Sequence, residues 1–148
     1  MTQIMEIHRD QFTISTDPSR LDMNAVYDFL SRSYWAMTRP REYTDKAFAN
    51  SLVFGIYDEN GNLVGMARIV TDYCIVAYLC DVFIHEDFRG HGLGKWLMQS
   101  MLAHPDLKHV RRWLLATDDA HGLYRQFGFE QLSDVEKWMQ RLRPFPNE

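Results

Sequence analysis

Between residues 88 and 96 the chain reads Phe88-Arg89-Gly90-His91-Gly92-Leu93-Gly94-Lys95-Trp96, with glycine at three alternating positions. Glycines so spaced remove the Cβ atoms that would hold a ligand off the main chain, and they admit turn dihedrals that aim successive N–H groups into one concavity. An apolar run, Tyr78 to Ile84, precedes the segment, and an amphipathic one, Gly92 to Ala103, follows it. A strand thus feeds a glycine loop and then a helix N-terminus, whose unpaired N–H groups and partial positive charge favour an anion. The expected ligand is a phosphate or pyrophosphate held by main chain from Arg89 to Lys95. A nucleoside-triphosphate loop does not fit, because three residues separate Gly90 from Gly94 and Trp96 stands where a metal-binding hydroxyl is required. A dinucleotide fingerprint does not fit either: the run is Gly-x-Gly-x-Gly and lies deep in the chain, not in an opening βαβ unit.

The segment Arg89-x-x-Gly92-x-Gly94, following Asp81-Val82-Phe83-Ile84-His85-Glu86-Asp87-Phe88, resembles the acetyl-CoA-binding loop of the GCN5-related N-acetyltransferase (GNAT) superfamily. Downstream, Ala120-His121-Gly122-Leu123-Tyr124-Arg125-Gln126-Phe127-Gly128-Phe129 is similar to that superfamily's Ala-x-x-Leu-Tyr-x-x-x-Gly-Phe segment. The resemblance spans the elements from about residue 24 to 140, with clear motifs from 78 to 129. It implies an α+β fold with a mixed, mostly antiparallel sheet flanked by helices, whose fourth and fifth strands splay into a V that holds the cofactor's arm. It implies acetyl-CoA as the donor, with Arg89, Gly90, His91, Gly92, Leu93, Gly94 and Lys95 at its pyrophosphate. Main-chain groups of Val82, Phe83 and Ile84 would then meet the pantetheine and the thioester oxygen, and one N–H would act as an oxyanion donor. Thr117 stands on the cofactor side, where family members often have asparagine. Tyr124 stands where the family places a tyrosine near the cofactor sulfur; a phenol of reference pKa about 10 stays protonated at neutral pH and can act as general acid. Tyr34 and Trp35 fall where the superfamily builds its acceptor pocket, and they read either as walls of an amine site or as core aromatics.

Asp81 needs no resemblance to attract notice. It is a carboxylate within Tyr78-Leu79-Cys80-Asp81-Val82-Phe83-Ile84, an otherwise apolar strand, where an unpaired charge is costly to bury. Its partner is either the acceptor amine, reached directly or through a water path that makes Asp81 a base, or a structural cation such as Arg68.

These residues must be positioned by a run of short elements. Gln11 to Thr16 reads as a first strand. Asp22 caps a helix through about Ser33, and a second helix follows from about Thr44 to Asn50. Leu52 to Tyr57 and Leu63 to Thr71 form a hairpin around Asp58-Glu59-Asn60-Gly61-Asn62. Tyr78 to Ile84 is the fourth strand, Gly92 to Ala103 the crossover helix, and Arg112 to Ala116 a fifth strand parallel to the fourth. A short helix from about Asp119 to Gln126 stops at Gly128, and Phe129 to Leu132 with Lys137 to Leu142 add one or two final strands.

At 148 residues, with 46% hydrophobic and 24% charged side chains, the chain fits one globular domain over residues 1–148 and excludes a disordered class. The longest apolar stretch, Cys74 to Cys80, is far short of the roughly 18 residues that cross a bilayer, so no membrane partner is expected. The opening MTQIMEIHRD carries no secretory pattern, which makes the expected location cytoplasmic and both cysteines small buried hydrophobes. The net charge of −4 argues against nucleic acid as the main partner. Residues 1–88 hold 7 basic and 13 acidic side chains and residues 89–148 hold 9 and 7, so an anion favours the second half and a cationic acceptor the first. The six histidines lack zinc spacing, and no metal is expected. The function these features fit is acetyl transfer from acetyl-CoA to a primary amine of a small molecule, by a monomer or homodimer. A non-catalytic acyl-CoA-binding module and a protein or peptide N-acetyltransferase are the alternatives.

Overall fold

Asp58 organises the clearest local signal in the chain. Its carboxylate accepts the N–H groups of Asn60 and Asn62 at 3.0 and 2.9 Å, and Gly61 takes a φ of +82°. This turn reverses the chain between β3 (Leu52–Tyr57) and β4 (Leu63–Thr71), which pair antiparallel as the turn residues between them predict. The computed structural model describes residues 3–146. Its sheet has six strands in sequence order: β1 (Glu6–Arg9), β2 (Phe12–Ser15), β3, β4, β5 (Val76–Ile84) and β6 (Arg112–Leu114). Every pairing is antiparallel except the last, in which β6 runs parallel to β5. β1 has no counterpart in the sequence reading, because Glu-Ile-His-Arg at a half-exposed edge carries no apolar run. The strands expected as fourth and fifth are therefore β5 and β6.

Four α-helices flank the sheet. α1 (Met23–Ser31) is capped by the Asp22 carboxylate, which accepts from the N–H groups of Asn24 and Ala25. α2 (Arg41–Ala49) starts three residues before its expected position, because Pro40 supplies extended backbone ahead of the first turn and has no N–H to leave unpaired. α1 and α2 lie on one face, where Val26, Phe29, Leu30 and Phe48 pack with Met66 and Phe83. On the other face α3 (Leu93–Ala103) buries Leu97, Met98 and Met101 against Ile14, Phe54 and Ile56. The fourth, α4 (His121–Arg125), is a single short turn that buries Tyr124.

Two expectations need correction. Neither Phe129–Leu132 nor Lys137–Leu142 forms a strand: Asp134 adopts a φ of +53°, which breaks extended backbone, and a 3₁₀ turn follows over Val135–Lys137. Met139 and Leu142 are left 94% and 85% exposed, so the segment buries little that would hold it in a sheet. Cys74 is exposed in the β4–β5 turn and Cys80 is half-buried; both are free thiols. Among the described residues no helix is long and apolar enough to cross a membrane.

His104, just past α3, is a buried polar residue whose ring packs against β3. It is 1% exposed, its ring meets Phe54 edge-on at 5.7 Å, and its Nδ1 accepts the Asp106 N–H at 3.0 Å. Nε2 finds no partner among the described residues, and burial holds the imidazole pKa below its ordinary value. A histidine that resists protonation when folded but not when unfolded loses stability as pH falls below about 6.5, the unfolded value. Urea melts between pH 7.5 and 5 should show that decline. His104→Asn, which can still accept from Asp106, should flatten it over the same window.

Candidate active site

β5 does not run straight past β4. Arg68 faces Cys80 and Met66 faces Phe83, so Asp81 and Val82 together stand against Ala67, and Asp81 takes a φ of +51°. This is a β-bulge, in which one extra residue shifts the alternation of side chains by one. Leu79 packs into the cluster beneath α3, whereas Phe83, four residues on, stacks on Phe29 of α1 with ring centroids 4.9 Å apart.

The bulge is held by the Asp81 carboxylate, whose side chain is fully buried. Oδ1 accepts from Trp35 Nε1 at 2.9 Å and Arg39 Nη2 at 3.1 Å. Oδ2 accepts from Arg39 Nη1 at 2.9 Å and Arg68 Nε at 2.8 Å. Burial alone would push the carboxyl pKa up, but hydrogen bonds and charge from Arg39, then Arg68, bring it below its ordinary value. With both oxygens bound to fixed donors and the carboxylate held ionised, the geometry fits the reading of Asp81 as a structural anchor. The cation expected from the sequence, Arg68, is present. Arg39, from the segment between α1 and α2, has no mark in the sequence, since it lies 42 residues from Asp81 along the chain.

Beyond Tyr78 and Leu114, the last paired residues, β5 continues to Ile84 while β6 ends. The strands part there, and a cavity of about 380 Å³ opens between Leu79–Val82 on one side and Leu115–Thr117 on the other. Tyr34 and Trp35 wall it, with their rings edge to face at 5.1 Å; neither is core, at 48% and 40% exposure. Tyr34 also bridges the mouth, its hydroxyl oxygen accepting the Asp118 N–H at 3.0 Å. Tyr124 lines the cavity from α4 and is 8% exposed, yet its hydroxyl has no hydrogen-bond partner among the described residues. Burial, then the nearby Tyr34 and Asp119, push its pKa up to about 12. Thr117 is committed locally: its Oγ1 accepts the N–H groups of Asp119 and Ala120 and so caps the turn into α4.

The glycine loop leaves β5 through a 3₁₀ turn and enters α3 at Gly92, in the left-handed region at φ +76°. Gly90 shares that conformation at +84°, and a Cβ built on Gly90 or Gly94 would meet nothing within 4 Å. Main chain is thus bare at the start of α3, where the first-turn N–H groups lack acceptors within the helix. Two arginines brace the loop from behind. Arg89 donates from Nε to the Ile84 carbonyl at 2.9 Å and lies over the Phe83 ring. Arg9 of β1, unmarked in the sequence, donates to the His91 carbonyl at 3.2 Å and stacks on Trp96. Of the loop side chains, Leu93 is 2% exposed and belongs to the core; only its main chain faces the loop. Phe83 is likewise a core side chain, while Val82 reaches the cavity. Among the described residues no group of three or more His, Cys, Asp or Glu could hold a metal ion.

The chain matches the model of the acetyltransferase (GNAT) family over residues 1–129. The chain belongs to the GNAT family. It is 30% identical over 149 residues to a Gibberella zeae protein named for acetyltransferase activity, covering 86% of this chain and 84% of that one. It is 33% identical over 98 residues to the ycf52 N-acetyltransferase of Gracilaria tenuistipitata, but spans 53% of that relative's length and 64% of its own. A crystal structure of a GNAT-family protein from Xanthomonas campestris superposes with a TM-score of 0.86 at 40% identity, over 93% of this chain and 96% of that one. The fold also matches a GNAT acetyltransferase from Elizabethkingia anophelis with acetyl-CoA bound, with a TM-score of 0.64 at 17% identity over 82% and 78% of the two chains.

In this GNAT chain the anchor makes a definite claim about stability. Removing one charge from a buried ion cluster costs about 3–5 kcal/mol, because the remaining charges are left uncompensated. Asp81→Asn leaves Arg39 and Arg68 against each other, and it should lower the melting temperature sharply. The depressed carboxyl pKa adds stability that is complete above the unfolded value of about 4 and is lost as pH falls through the folded value. Thermal melts from pH 7 to pH 2 should therefore show the variant's deficit shrinking at the acid end.

Proposed function

We propose that this chain is an acetyl-CoA-dependent N-acetyltransferase whose acceptor is a primary amine of a small molecule. The observation that supports the reading is the presence, in one fold, of bare glycine-loop main chain at a helix N-terminus and an unpartnered Tyr124 hydroxyl inside the cavity. A pyrophosphate fits the first, since the open space at Gly90 and Gly94 admits a phosphate oxygen close to N–H groups. Acetyl-CoA, when bound, would supply the acetyl group as an activated thioester.

The residues divide the remaining work. Backbone between Arg89 and Lys95 holds the anion and fixes the direction of the cofactor's arm towards the splay. Past Leu114 the edge of β5 that faces β6 has no strand partner, so main chain at Val82 is open to the cavity as a fixed donor. Transfer joins the amine nitrogen to the acetyl carbon, breaks the C–S bond and leaves the nitrogen's proton on sulfur. Tyr124 keeps its proton throughout the physiological range, because a phenol raised to about 12 is more than four units above neutral pH. A phenol that weak as an acid serves best as a hydrogen-bond donor to developing negative charge on sulfur. Tyr34 and Trp35 wall the acceptor side, opposite the loop.

Two measurements test this reading. Gly94→Val adds bulk where the fold has open space and φ is not left-handed, so it should fold normally while acetyl-CoA affinity by calorimetry falls by about 10-fold or more. Unchanged affinity would remove the loop from cofactor binding. Tyr124→Phe keeps the ring and deletes the donor; kcat should fall by roughly 10- to 1000-fold with little change in acetyl-CoA affinity. An unaltered kcat, where chemistry limits the rate, would assign Tyr124 to packing.

A further inference from the structure

The acceptor side of the cavity carries more positive charge than the anchoring of Asp81 consumes. Arg39 and Arg68 both line it, at 15% and 12% side-chain exposure, and one carboxylate neutralises only one of them. Their donors are also not exhausted. Arg39 spends Nη1 and Nη2 on Asp81, while Arg68 spends Nε on Asp81 and Nη1 on the Ser51 hydroxyl. Arg39 Nε and Arg68 Nη2 have no partner among the described residues, and neither is sealed from solvent. Arg68 is held in place by lying over the Phe48 ring at 5.6 Å.

The opposite wall has the opposite sign. Asp118 and Asp119 line the cavity where β6 leads into α4, and Asp119 is near enough to Tyr124 to help raise its pKa. A molecule entering between these walls meets guanidinium donors at one end and carboxylates beside Tyr124 at the other. The charges would orient it with an anionic group towards the arginines and its amine towards Tyr124.

We propose that Arg39 and Arg68 form a subsite for an oxyanion on the acceptor, so that the substrate is a small amine also bearing a carboxylate or a phosphate. This rests on the acetyltransferase reading and narrows its substrate class. Guanidinium suits the task, since it stays charged, keeps directional N–H donors after pairing with Asp81, and matches the planar or tetrahedral edge of an oxyanion. The anion takes no part in acetyl transfer; it fixes the position of the amine.

The wild-type protein can be tested directly by following CoA thiol release at fixed acetyl-CoA over matched acceptors. α-Amino acids are set against their amides and their decarboxylated amines, and amino-sugar phosphates against the unphosphorylated amino sugars. The expected result is a kcat/KM about 10- to 100-fold higher for the anion-bearing member of a pair, the size of a charge-assisted bond to arginine. Carboxylate and phosphate arms identify which oxyanion is taken. Arg39→Lys and Arg68→Lys keep the charge but lose the fork, and each should shrink that ratio while acetyl-CoA affinity is retained. Equal or faster turnover of the anion-free member in every pair overturns the subsite and leaves acetyl transfer standing. Turnover confined to peptides, or none with any anion-bearing amine, overturns it too. Calorimetry with acetyl-CoA then separates the two readings, since only a failure to bind the donor would take the transferase reading down with the subsite.

Discussion

One buried carboxylate ties the two halves of this molecule together. Asp81 lies at the extra residue of a bulge, and its four hydrogen bonds come from a tryptophan and an arginine of the α1–α2 connection and from an arginine of the neighbouring strand β4. Such a charge is costly to bury alone, so the bulge, the connection and Arg68 are stable only as a set. The bulge shifts the side chains of β5 by one, which turns Phe83 towards Phe29 and fixes α1 on the sheet. The same hydrogen bonds hold Trp35 at the cavity, so the wall of the site and the packing of the fold share one origin.

The two ends of the site use different physics. On the side proposed for the donor the chain offers main chain, shaped by glycine and braced by Arg89 and Arg9 against neighbouring carbonyls. On the acceptor side it offers fixed charge and aromatic surface. Between them stands Tyr124, whose environment makes it a poor acid and a durable hydrogen-bond donor. Tyr34 joins two walls of the cavity through a single bond to the Asp118 N–H, 84 residues away in sequence.

Much of this was legible from local patterns. The hairpin around Asp58, the cap at Asp22 and the glycine loop before α3 each depend on residues within a few positions of one another, and each stands where the sequence places it. What escaped depends on distant partners. Strict alternation along Tyr78–Ile84 would put Leu79 and Phe83 on one face, and the bulge that separates them is visible only once β4 is laid alongside. Asp81 was legible as a charge needing a partner, but Arg39 is 42 residues away and nothing local assigns it. Arg9 reaches the glycine loop from a strand with no apolar signature. The C-terminal apolar residues misled in the other direction: Met139 and Leu142 have strand-forming neighbours in sequence but no partner strand in space.

The glycine loop has a consequence for how its importance could be recognised from variation. What it presents at Gly90, Gly92 and Gly94 is backbone, and the two side chains between them face elsewhere: Leu93 into the core and His91 into solvent. An alanine scan would report Leu93 as a packing residue and would leave every N–H group of the loop in place. The working surface of this segment is therefore recorded in the positions where a side chain is missing. Its chemistry can persist while the letters between the glycines drift, because selection there acts on dihedral angles and empty volume.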